Sequence, residues 1–467
     1  KTESTKHCLH YITRVSDSDS MLVTRLLSST PVLEAFGNAR TTWNRNSSRF
    51  GKWLEIHFDS SNNLIGCATQ NLLLEKSRVV WQDAGESNFH VLHILPEDAD
   101  SATRSRHLIW DSDRYRIISS SEPRHIEDTN ASEESVRESG PVVSEYSRVS
   151  FPTLKRKLEM LDLSEGDCDC IWRVLSIVLH LGNIVFGFDD ETSEVVIKED
   201  WEGNTSIANV ASLMGVNLEE LNHVLLSRQI RSGRGSVLQV PYNLVGATEN
   251  CEALIKFIYQ QTFTWITQRI NCSVGGEKST LLANGTDCVV GILDIFGFES
   301  LESNSFGQFC INYANESLHK FFISSTINLE ISLYESEGLH FSPLNQSHDF
   351  QVLELFEARA EGLISSLSEE MSIPGGCSST WFHKVASAHR SKPCFAISRD
   401  NMHFVIEHFA GPVVYDYSQF LEKARDTSHQ NSLDLFRGAS FAFLAMVCSC
   451  RPAVRQAKKR GPRIGCI

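Results

Sequence analysis

The sequence predicts an α/β protein, on the strength of three patterns. An apolar run, 288–293, has the length and composition of a buried strand and stops at an acidic residue, Asp294. Two alternating segments, 53–58 and 64–69, are separated by Asp-Ser-Ser-Asn-Asn and form a hairpin pattern. Between 151 and 271, apolar residues recur at spacings of three and four, which is typical of helices packed against a core.

The composition is that of a folded chain with more than one core. The 467 residues, 41% apolar and 22% charged, are enough for two or three packed subdomains. A formal charge of −15 argues against general nucleic-acid binding, which needs a basic face. No run of roughly eighteen apolar residues and no signal-peptide pattern appears, so no transmembrane segment is expected. The thirteen cysteines are odd in number and lack C-x-x-C spacing, which predicts reduced cytosolic thiols.

The chain opens with Lys1-Thr2, followed by an amphipathic helical pattern with Leu9, Ile12 and Val15 on one face. The dipeptide matches the last two positions of a G-x-x-x-x-G-K-[ST] phosphate loop running into its helix. The glycines of such a loop are not in the printed sequence, which begins at the lysine. Taken alone, Lys-Thr is a common dipeptide and favours an ordinary helix start.

A polar segment, 38–52, follows a short helical turn that ends at Gly37. Hydroxyl, amide and guanidinium groups crowd its centre, which reads Asn44-Arg45-Asn46-Ser47-Ser48-Arg49. Such a loop can offer a magnesium ligand, amide donors for phosphate oxygens and a charge partner for a distant acid.

The strand that ends at Asp294 is followed three positions later by Gly297. A carboxylate at the C-terminal edge of a strand can face a magnesium ion, and a glycine lets its N–H approach an anionic oxygen without a side chain in the way. An Asp-x-x-Gly turn is also an ordinary strand-to-loop connection. Taken alone, the six residues 294–299 therefore favour a structural role over a catalytic one.

Three further regions complete the prediction. Residues 96–149 are acidic, partly serine-containing and without periodicity, so a solvated, mobile insertion is expected, with regulatory phosphorylation the less favoured alternative. The helical region should bury a stripe of core positions: Leu154, Leu158, Leu161, Ile171, Leu175, Val178, Leu179, Leu254, Phe257, Ile258 and Trp265. Asn304-Ser305 can cap a later helix with the aromatic-rich stripe Phe309, Tyr313, Leu318, Phe321, Phe322 and Ile327.

Together and in this order, these segments resemble the myosin motor domain. The end of its phosphate loop is similar to 1–4, its first switch to 44–52, its second switch to 294–299 and the start of its relay helix to 304–316. Further similar segments are 72–80, 179–184, 408–416 and 420–426, so the resemblance covers about residues 1–437. It implies a P-loop NTPase-type α/β fold, with a twisted, mostly parallel central sheet and helical subdomains on either side of a cleft.

The resemblance also implies how the chain is divided. In order, the parts are a nucleotide-site part with first switch and hairpin (1–95), the insertion (96–149), a helical upper actin-facing subdomain (150–284), second switch and relay helix (285–340), the start of the lower actin-facing subdomain (341–437) and a divergent basic tail (438–467).

By the same resemblance, magnesium and the nucleotide would be held by residues from all three motifs. Lys1 would sit on the β- and γ-phosphates, while Thr2 and Ser48 would ligate magnesium and Asp294 would hold a metal-bound water. The implied nucleotide contacts are Lys1, Thr2, Asn44, Asn46 and the backbone of Gly297.

The resemblance gives catalytic roles to four residues. Ser47 would help to place the attacking water, and the Gly297 N–H would bind the γ-phosphate when the second switch closes. Arg49 and Glu299 would form an ion pair that latches the two switches, and Glu299 would relay a proton through a second water. Such a site works by positioning and charge neutralisation, because phosphoryl transfer asks for little covalent chemistry from the protein.

The implied function is that of an actin-based motor, a Mg-dependent, actin-activated ATPase of the cytoplasm and actin cytoskeleton. Light chains or calmodulin would bind a lever region that the printed chain lacks. Because the chain is acidic and actin is acidic too, actin contacts would need local basic loops such as 231–237, where Ser236 is a less favoured phosphorylation candidate. The basic tail is either a lysine-rich actin-binding loop or an end without a role.

Some positions depart from the family pattern. Trp43 stands where the family often has arginine, and Gly307 replaces an acid, which weakens the first helical turn by up to about 1 kcal/mol. Without the Gly-rich half of the phosphate loop and the converter, the printed chain is expected to bind ATP weakly and to swing no lever. The alternative is a truncated, non-hydrolysing actin-binding or scaffold protein, although retention of the switch residues favours the ATPase.

Overall fold

The computed structural model describes residues 2–16, 20–83, 85–118, 149–198, 205–231, 237–275, 288–339, 347–373, 375–399, 402–424 and 435–449. The chain forms two units: a larger one of Thr2–Leu293 and Ser428–Ile467, and a smaller one of Asp294–Thr427. The two candidate switch segments therefore belong to different units, 38–52 to the larger and 294–299 to the smaller.

The helices, in chain order, are α1 Thr2–Val15, α2 Ser20–Gly37, α3 His90–Asp98, α4 Ser101–Arg106, α5 Phe151–Met160, α6 Glu165–Leu181, α7 Thr205–Met214, α8 Leu218–Leu226, α9 Leu244–Ser273, α10 Phe306–Phe322, α11 Asn328–Ser336, α12 Ser347–Glu357, α13 Leu363–Ser372, α14 Ser378–His389, α15 Phe420–Ala424 and α16 Ala442–Ser449. A π-helical segment, Ile323–Ile327, joins α10 to α11, and 3₁₀ turns occupy Lys76–Val79 and Ser112–Arg114.

The strands are β1 Asn38–Ala39, β2 Ser47–Ser48, β3 Gly51–Phe58, β4 Leu64–Leu72, β5 Val185–Phe188, β6 Val195–Lys198, β7 Ser227–Arg231, β8 Val237–Pro241, β9 Cys288–Asp294, β10 Phe395–Ile397, β11 His403–His408 and β12 Gly411–Asp416. The consecutive pairs β1–β2, β3–β4, β5–β6, β7–β8, β10–β11 and β11–β12 are antiparallel. Strand β9 lies beside β3 in a three-stranded sheet of order β4-β3-β9. The prediction that this strand is buried is wrong for the described structure: β9 is an edge strand of that sheet, and only Asp294 at its end is buried.

The predicted hairpin is confirmed as β3–β4. Asp59 organises its loop, because one carboxylate oxygen accepts from the Ser61 N–H at 2.9 Å and from the Asn63 N–H at 2.8 Å. Asn62 has a φ of 61°, a left-handed conformation that asparagine tolerates better than most residues. The turn-forming residues of the loop thus determine where the β3–β4 hairpin, which follows the first switch in the chain, reverses direction.

The helical core of the larger unit also follows the prediction. Helix α6 begins with a capping box, in which the Ser164 hydroxyl accepts from the Asp167 N–H and the Asp167 carboxylate accepts from the Ser164 N–H. The predicted stripe positions are buried, apart from Phe257, which is partly buried. The long helix α9 packs on α6 and closes this core.

Residues 96–118, the first part of the predicted insertion, contain helical structure and core residues, although more than half of them are exposed. They include the end of α3, all of α4 and a 3₁₀ turn, and they bury Ile109, Tyr115 and Ile117 in the core. These apolar residues are too irregularly spaced to form a recognisable stripe, which is why composition suggested a solvated segment. The remaining part, 119–148, lies outside the described residues.

The smaller unit has an aromatic core between its helices and the β10–β12 sheet. Helix α10 starts at the predicted cap, where Ser305 and Gln308 form a capping box. Phe309 is buried and packs on Phe356 with ring centroids 4.8 Å apart. Of the predicted aromatic stripe only Phe309 is buried. Tyr313, Leu318 and Ile327 are partly buried, and Phe321 and Phe322 are more than half exposed.

The mixed helix and sheet architecture is confirmed, while the twisted, mostly parallel central sheet stays a prediction. Lys1, Ser236 and the tail residues 451–467 also lie outside the described residues. Within the part of the chain that is described, no helix is both long and apolar enough to cross a membrane, and the cysteines are free thiols.

Candidate functional site

The first switch is a narrow loop between two short strands of the larger unit. Strand pairing puts Asn38 opposite Ser48 and Ala39 opposite Ser47. At the tip, the side-chain oxygen of Asn44 accepts from the Asn46 N–H at 2.9 Å, an Asx turn that holds the loop by local hydrogen bonding. This bond occupies the amide oxygen of Asn44, and the NH₂ group of this exposed side chain is the half that can donate to a phosphate oxygen.

Asn46 is fixed from the body of the unit. Its side-chain oxygen accepts from Nδ2 of Asn38 at 3.0 Å and lies 3.1 Å from Nε2 of His90, at the start of α3. Asn38 is itself buried, so this amide pair anchors the loop beneath its tip. The sequence predicted Asn46 as a nucleotide contact, and the structure adds that it also orders the switch.

Ser48 has the hydrogen bonding expected of a metal-ligating hydroxyl. Its Oγ donates to the carbonyl of Phe50 at 2.8 Å, which engages the proton and leaves oxygen lone pairs for a cation. The Ser47 hydroxyl accepts from Nη1 of Arg49 at 3.3 Å, so its proton can be given to a water. These two hydroxyls fit a magnesium and a water-positioning role.

Arg49 is almost completely buried, with 1% of its surface exposed. Its N–H donates to the carbonyl of Gly37 at 2.8 Å, and its Nε donates to Oε2 of Glu75 at 2.6 Å. Glu75 also accepts from Nε of Arg78 at 2.8 Å, and Arg78 donates through Nη2 to Glu86 at 2.7 Å. We refer to Arg49, Glu75, Arg78 and Glu86 as the acid–base cluster.

The electrostatics of the acid–base cluster favour its charged form. Burial by itself would raise the pKa of Glu75, but the positive charges and hydrogen bonds of Arg78 and Arg49 lower that pKa to about 2. For Arg78, burial opposes the charged form, yet the neighbouring carboxylates raise its pKa above the usual value. Glu75 is therefore ionised at neutral pH.

The second switch lies in the smaller unit and begins where β9 ends at Asp294, whose side chain is buried. A Cβ added at Gly297 would meet no atom within 4 Å, and Gly297 has no positive φ. The glycine is thus required neither by packing nor by backbone strain in this structure. A glycine also lets an anion approach its N–H without a side chain in the way.

Glu299 is held by the amide of Asn312, in the second turn of α10. The Glu299 N–H donates to Oδ1 of Asn312 at 2.9 Å, and Nδ2 of Asn312 donates to the Glu299 carbonyl at 2.7 Å. The Glu299 carboxylate accepts from Nε2 of Gln308 at 3.3 Å. This arrangement fixes the backbone of the residue that the sequence predicted to latch the switches.

Asn312 continues into a buried polar network beneath the second switch. Its Nδ2 donates to the hydroxyl of Tyr415 at 2.8 Å, and that hydroxyl lies 2.8 Å from Nε2 of His408. Nδ1 of His408 lies 2.9 Å from Oε1 of Glu316, which also accepts from the Phe409 N–H. The network connects the relay-helix segment to strands β11 and β12 within the smaller unit.

The structure brings the predicted residues together within each unit. Asn44, Asn46, Ser47, Ser48 and Arg49 share the first-switch segment. Asp294 is the last residue of β9, and Gly297 and Glu299 follow it. Thr2 begins α1 of the larger unit. In the described ranges no three His, Cys, Asp or Glu side chains are grouped as a metal site, and the predicted magnesium ligands are two hydroxyls and one carboxylate.

Sequence reasoning assigned no role to Glu75, Arg78, Glu86, Asn312 or Tyr415. Four of these residues nevertheless lie in segments that resemble the family. Glu75 and Arg78 lie in 72–80, Asn312 lies in 304–316, and Tyr415 lies in 408–416. Their function in supporting the switch residues follows only from the contacts described above.

Comparison with known proteins gives one consistent result. The family described as Myosin head (motor domain) matches residues 1–462. The chain is 34% identical over 460 residues to Myosin heavy chain 95F of Drosophila melanogaster, covering 92% of this chain and 36% of that protein. It is 34% identical to Myosin-1 of Arabidopsis thaliana, with 99% of this chain and 38% of that protein covered. It is also 34% identical to Unconventional myosin-Ic-A of Xenopus laevis, with 92% of this chain and 41% of that protein covered. The chain thus spans well under half the length of these relatives.

Proposed function

Because the chain belongs to the myosin head (motor domain) family, we propose that it hydrolyses Mg-ATP as part of an actin-based motor. The observation that supports this most directly is the first-switch loop, where Ser47, Ser48 and Arg49 are held in consecutive positions by defined hydrogen bonds. A purely structural loop would not need two hydroxyls beside a buried, ion-paired arginine.

The first-switch loop and the first two residues of the chain would bind and orient the phosphates. Ser48 and Thr2 would ligate magnesium, Lys1 would approach the β- and γ-phosphates, and Asn44 would donate its NH₂ group to a phosphate oxygen, with Asn46 beside it. Magnesium, when bound, neutralises charge on the β- and γ-phosphate oxygens. Ser47 would donate to the attacking water and keep it in line with the bond that breaks.

The smaller unit would supply the groups that sense the γ-phosphate. Asp294 would hold a metal-bound water, and the Gly297 N–H would donate to a γ-phosphate oxygen. Glu299, with its backbone fixed by Asn312, would pair with Arg49 and pass a proton through a second water. Closing this latch would exclude bulk water and complete the site.

The wider features of the proposal follow from the family. We propose a P-loop NTPase-type twisted, mostly parallel sheet as the framework of the site, with actin filaments as the partner that activates hydrolysis. Light chains or calmodulin would bind elsewhere in the complete protein, and the motor would work on the cytoplasmic actin cytoskeleton. Nucleic acid is not expected as a partner, since the chain carries a formal charge of −15.

The test is single-turnover hydrolysis of Mg-ATP by the purified protein, with and without actin filaments. We expect hydrolysis that actin accelerates, and a loss of about 100-fold or more in Ser48→Ala. Ser61→Ala, in the exposed β3–β4 loop, is the matched control and should behave like the parent. A parent protein that sediments with actin filaments but shows no hydrolysis would refute the ATPase and favour the non-hydrolysing actin-binding alternative.

The latch is tested by exchanging its charges. Hydrolysis should collapse in Arg49→Glu and in Glu299→Arg, because breaking a shielded ion pair costs about 3–5 kcal/mol. Activity should return in part in the double variant. The return is limited, since a glutamate at position 49 would face Glu75 in place of its arginine partner. A double variant that is no more active than either single variant would refute the proposed ion pair between Arg49 and Glu299.

A further inference from the structure

Glu75 lies outside the first switch but contacts Arg49 twice. The Glu75 N–H donates to the Arg49 carbonyl at 2.9 Å, and its Oε2 accepts from Nε of Arg49 at 2.6 Å. The Arg49 side chain is only 2% exposed, so water does not screen this ion pair. A guanidinium held in this way has few alternative rotamers, because moving it would leave a buried charge unpaired.

The same carboxylate is connected to the other strand of the switch. Oε2 of Glu75 also accepts from Nε of Arg78, and Nη1 of Arg78 donates to the carbonyl of Ser87 at 3.2 Å. Ser87 bonds Arg40 in both directions, since its N–H donates to the Arg40 carbonyl at 3.0 Å and its hydroxyl accepts from the Arg40 N–H at 3.1 Å. Arg40 directly follows β1 and Arg49 directly follows β2.

Charge balance makes Glu75 the critical member of the acid–base cluster. The cluster holds two guanidinium groups and two carboxylates, and Glu75 is the one carboxylate shown bonded to both guanidinium groups. Without its charge, Arg49 and Arg78 would each lose an ion-pair partner in the cluster. Repulsion between the two guanidinium groups would then be less well compensated, and the Arg49 side chain would be held less firmly.

We infer that Glu75 is a positioning residue for the first switch: it fixes the Arg49 guanidinium and ties the ends of β1 and β2 to one carboxylate. Glu75 acts through Arg49. The structural part of this inference stands by itself, whereas its consequence for hydrolysis rests on the proposed function.

The experiment compares Glu75→Gln with Glu86→Gln in the full chain. Both variants remove one carboxylate charge from the same cluster, but only the first removes a contact to Arg49. Amide hydrogen exchange across 38–50 should accelerate by about tenfold or more in Glu75→Gln and by less than about threefold in Glu86→Gln. Melting temperatures should fall in both variants, so exchange in the switch separates positioning from general stability.

Hydrolysis gives a second, independent measurement. Single-turnover cleavage should slow by about tenfold in Glu75→Gln, with the dissociation constant of a fluorescent ATP analogue within about threefold of the parent value. Glu75→Asp, which keeps the charge but withdraws it by one methylene, should fall between parent and Glu75→Gln in both measurements. It also replaces Glu75→Gln in the comparison if that variant does not fold.

The outcomes are distinguishable. Unchanged exchange across 38–50 in a folded Glu75 variant, or equal acceleration in the Glu75 and Glu86 variants, would overturn the inference. If the parent protein hydrolyses no ATP, the proposed function fails, while the exchange comparison still decides whether Glu75 positions the switch.

Discussion

The buried network beneath the second switch predicts that Tyr415→Phe is strongly destabilising. The hydroxyl of Tyr415 lies 2.8 Å from both Nδ2 of Asn312 and Nε2 of His408, and all three side chains are almost completely buried. Burial raises the pKa of Tyr415, so the phenol stays protonated at neutral pH. The substitution keeps the ring and removes only this oxygen.

The magnitude follows from what the two nitrogen atoms lose. A buried polar group left without its partner costs about 1–3 kcal/mol. Asn312 keeps its bond to the Glu299 carbonyl and should lose less, whereas Nε2 of His408 loses the partner on that side of its ring. We therefore expect a loss of about 2–4 kcal/mol in the free energy of opening of this region.

Hydrogen exchange of the β11 and β12 amides measures this loss directly, because these strands pair from His403 with Asp416 to His408 with Gly411. At about 1.4 kcal/mol per tenfold, exchange should accelerate by about 30- to 1,000-fold. Tyr313→Phe is the matched control, since its hydroxyl bonds Glu357 at 2.8 Å in an exposed setting and should cost at most about 1 kcal/mol.

The reasoning would be refuted by a Tyr415→Phe protein whose β11 and β12 amides exchange no faster than those of Tyr313→Phe. That result would mean that the Tyr415 hydroxyl is replaced at little cost by rearrangement of Asn312 and His408. The protected hydrogen-bond chain from Glu299 to β12 would then not be a rigid support.

Three other predictions follow from local chemistry. Gly297→Ala should leave the melting temperature unchanged, because an added Cβ meets open space, but should slow single-turnover hydrolysis by about 100-fold as the methyl crowds the phosphate-sensing N–H. Hydrogen bonds from the Thr380 side chain and backbone lower the pKa of the exposed Cys377 thiol, so Thr380→Ala should slow its alkylation at pH 7, followed by mass spectrometry, with Cys8 as internal reference. The stability advantage of the parent over Glu75→Gln in urea unfolding should be full above about pH 4.5 and should disappear as the pH falls to about 2, because the folded-state pKa of Glu75 lies below its ordinary value.

The helical parts of the fold were predictable because their signals are local. Apolar residues at spacings of three and four, as at Leu154, Leu158 and Leu161, define a buried face whatever the partner is. Strand pairing is different, because an apolar run such as 288–293 does not specify which strand lies beside it. The sequence therefore predicted the β3–β4 hairpin, whose turn is local, but left the order of the wider sheet to family resemblance.

The same distinction between local and long-range contacts applies to the candidate site, where the roles of the residues stay predictions. The roles expected of Ser47 and Ser48 agree with short-range bonds, such as the one from Ser48 to Phe50. Glu75 reaches Arg49 across 26 positions of sequence, and Asn312 reaches Glu299 across 13. Glu75 belongs to no periodic pattern in the sequence that would mark it as buried. Its contact with Arg49 is therefore seen only in the structure.

Each half of the site fixes its key residue through the backbone as well as the side chain. Arg49 donates its N–H to Gly37 and accepts from the Glu75 N–H, and both main-chain groups of Glu299 bond the Asn312 amide. Substituting either key side chain leaves these main-chain groups in place, although the Arg49 variant also loses the ion pair with Glu75 that positions the first switch. The two substitutions are still not equivalent, because Arg49→Glu sets two carboxylates against each other at Glu75, whereas Glu299→Arg meets the neutral amide of Gln308. In the charge exchange, Arg49→Glu should accordingly be the more damaging single change, and the difference between the two measures how much of the first switch depends on Glu75.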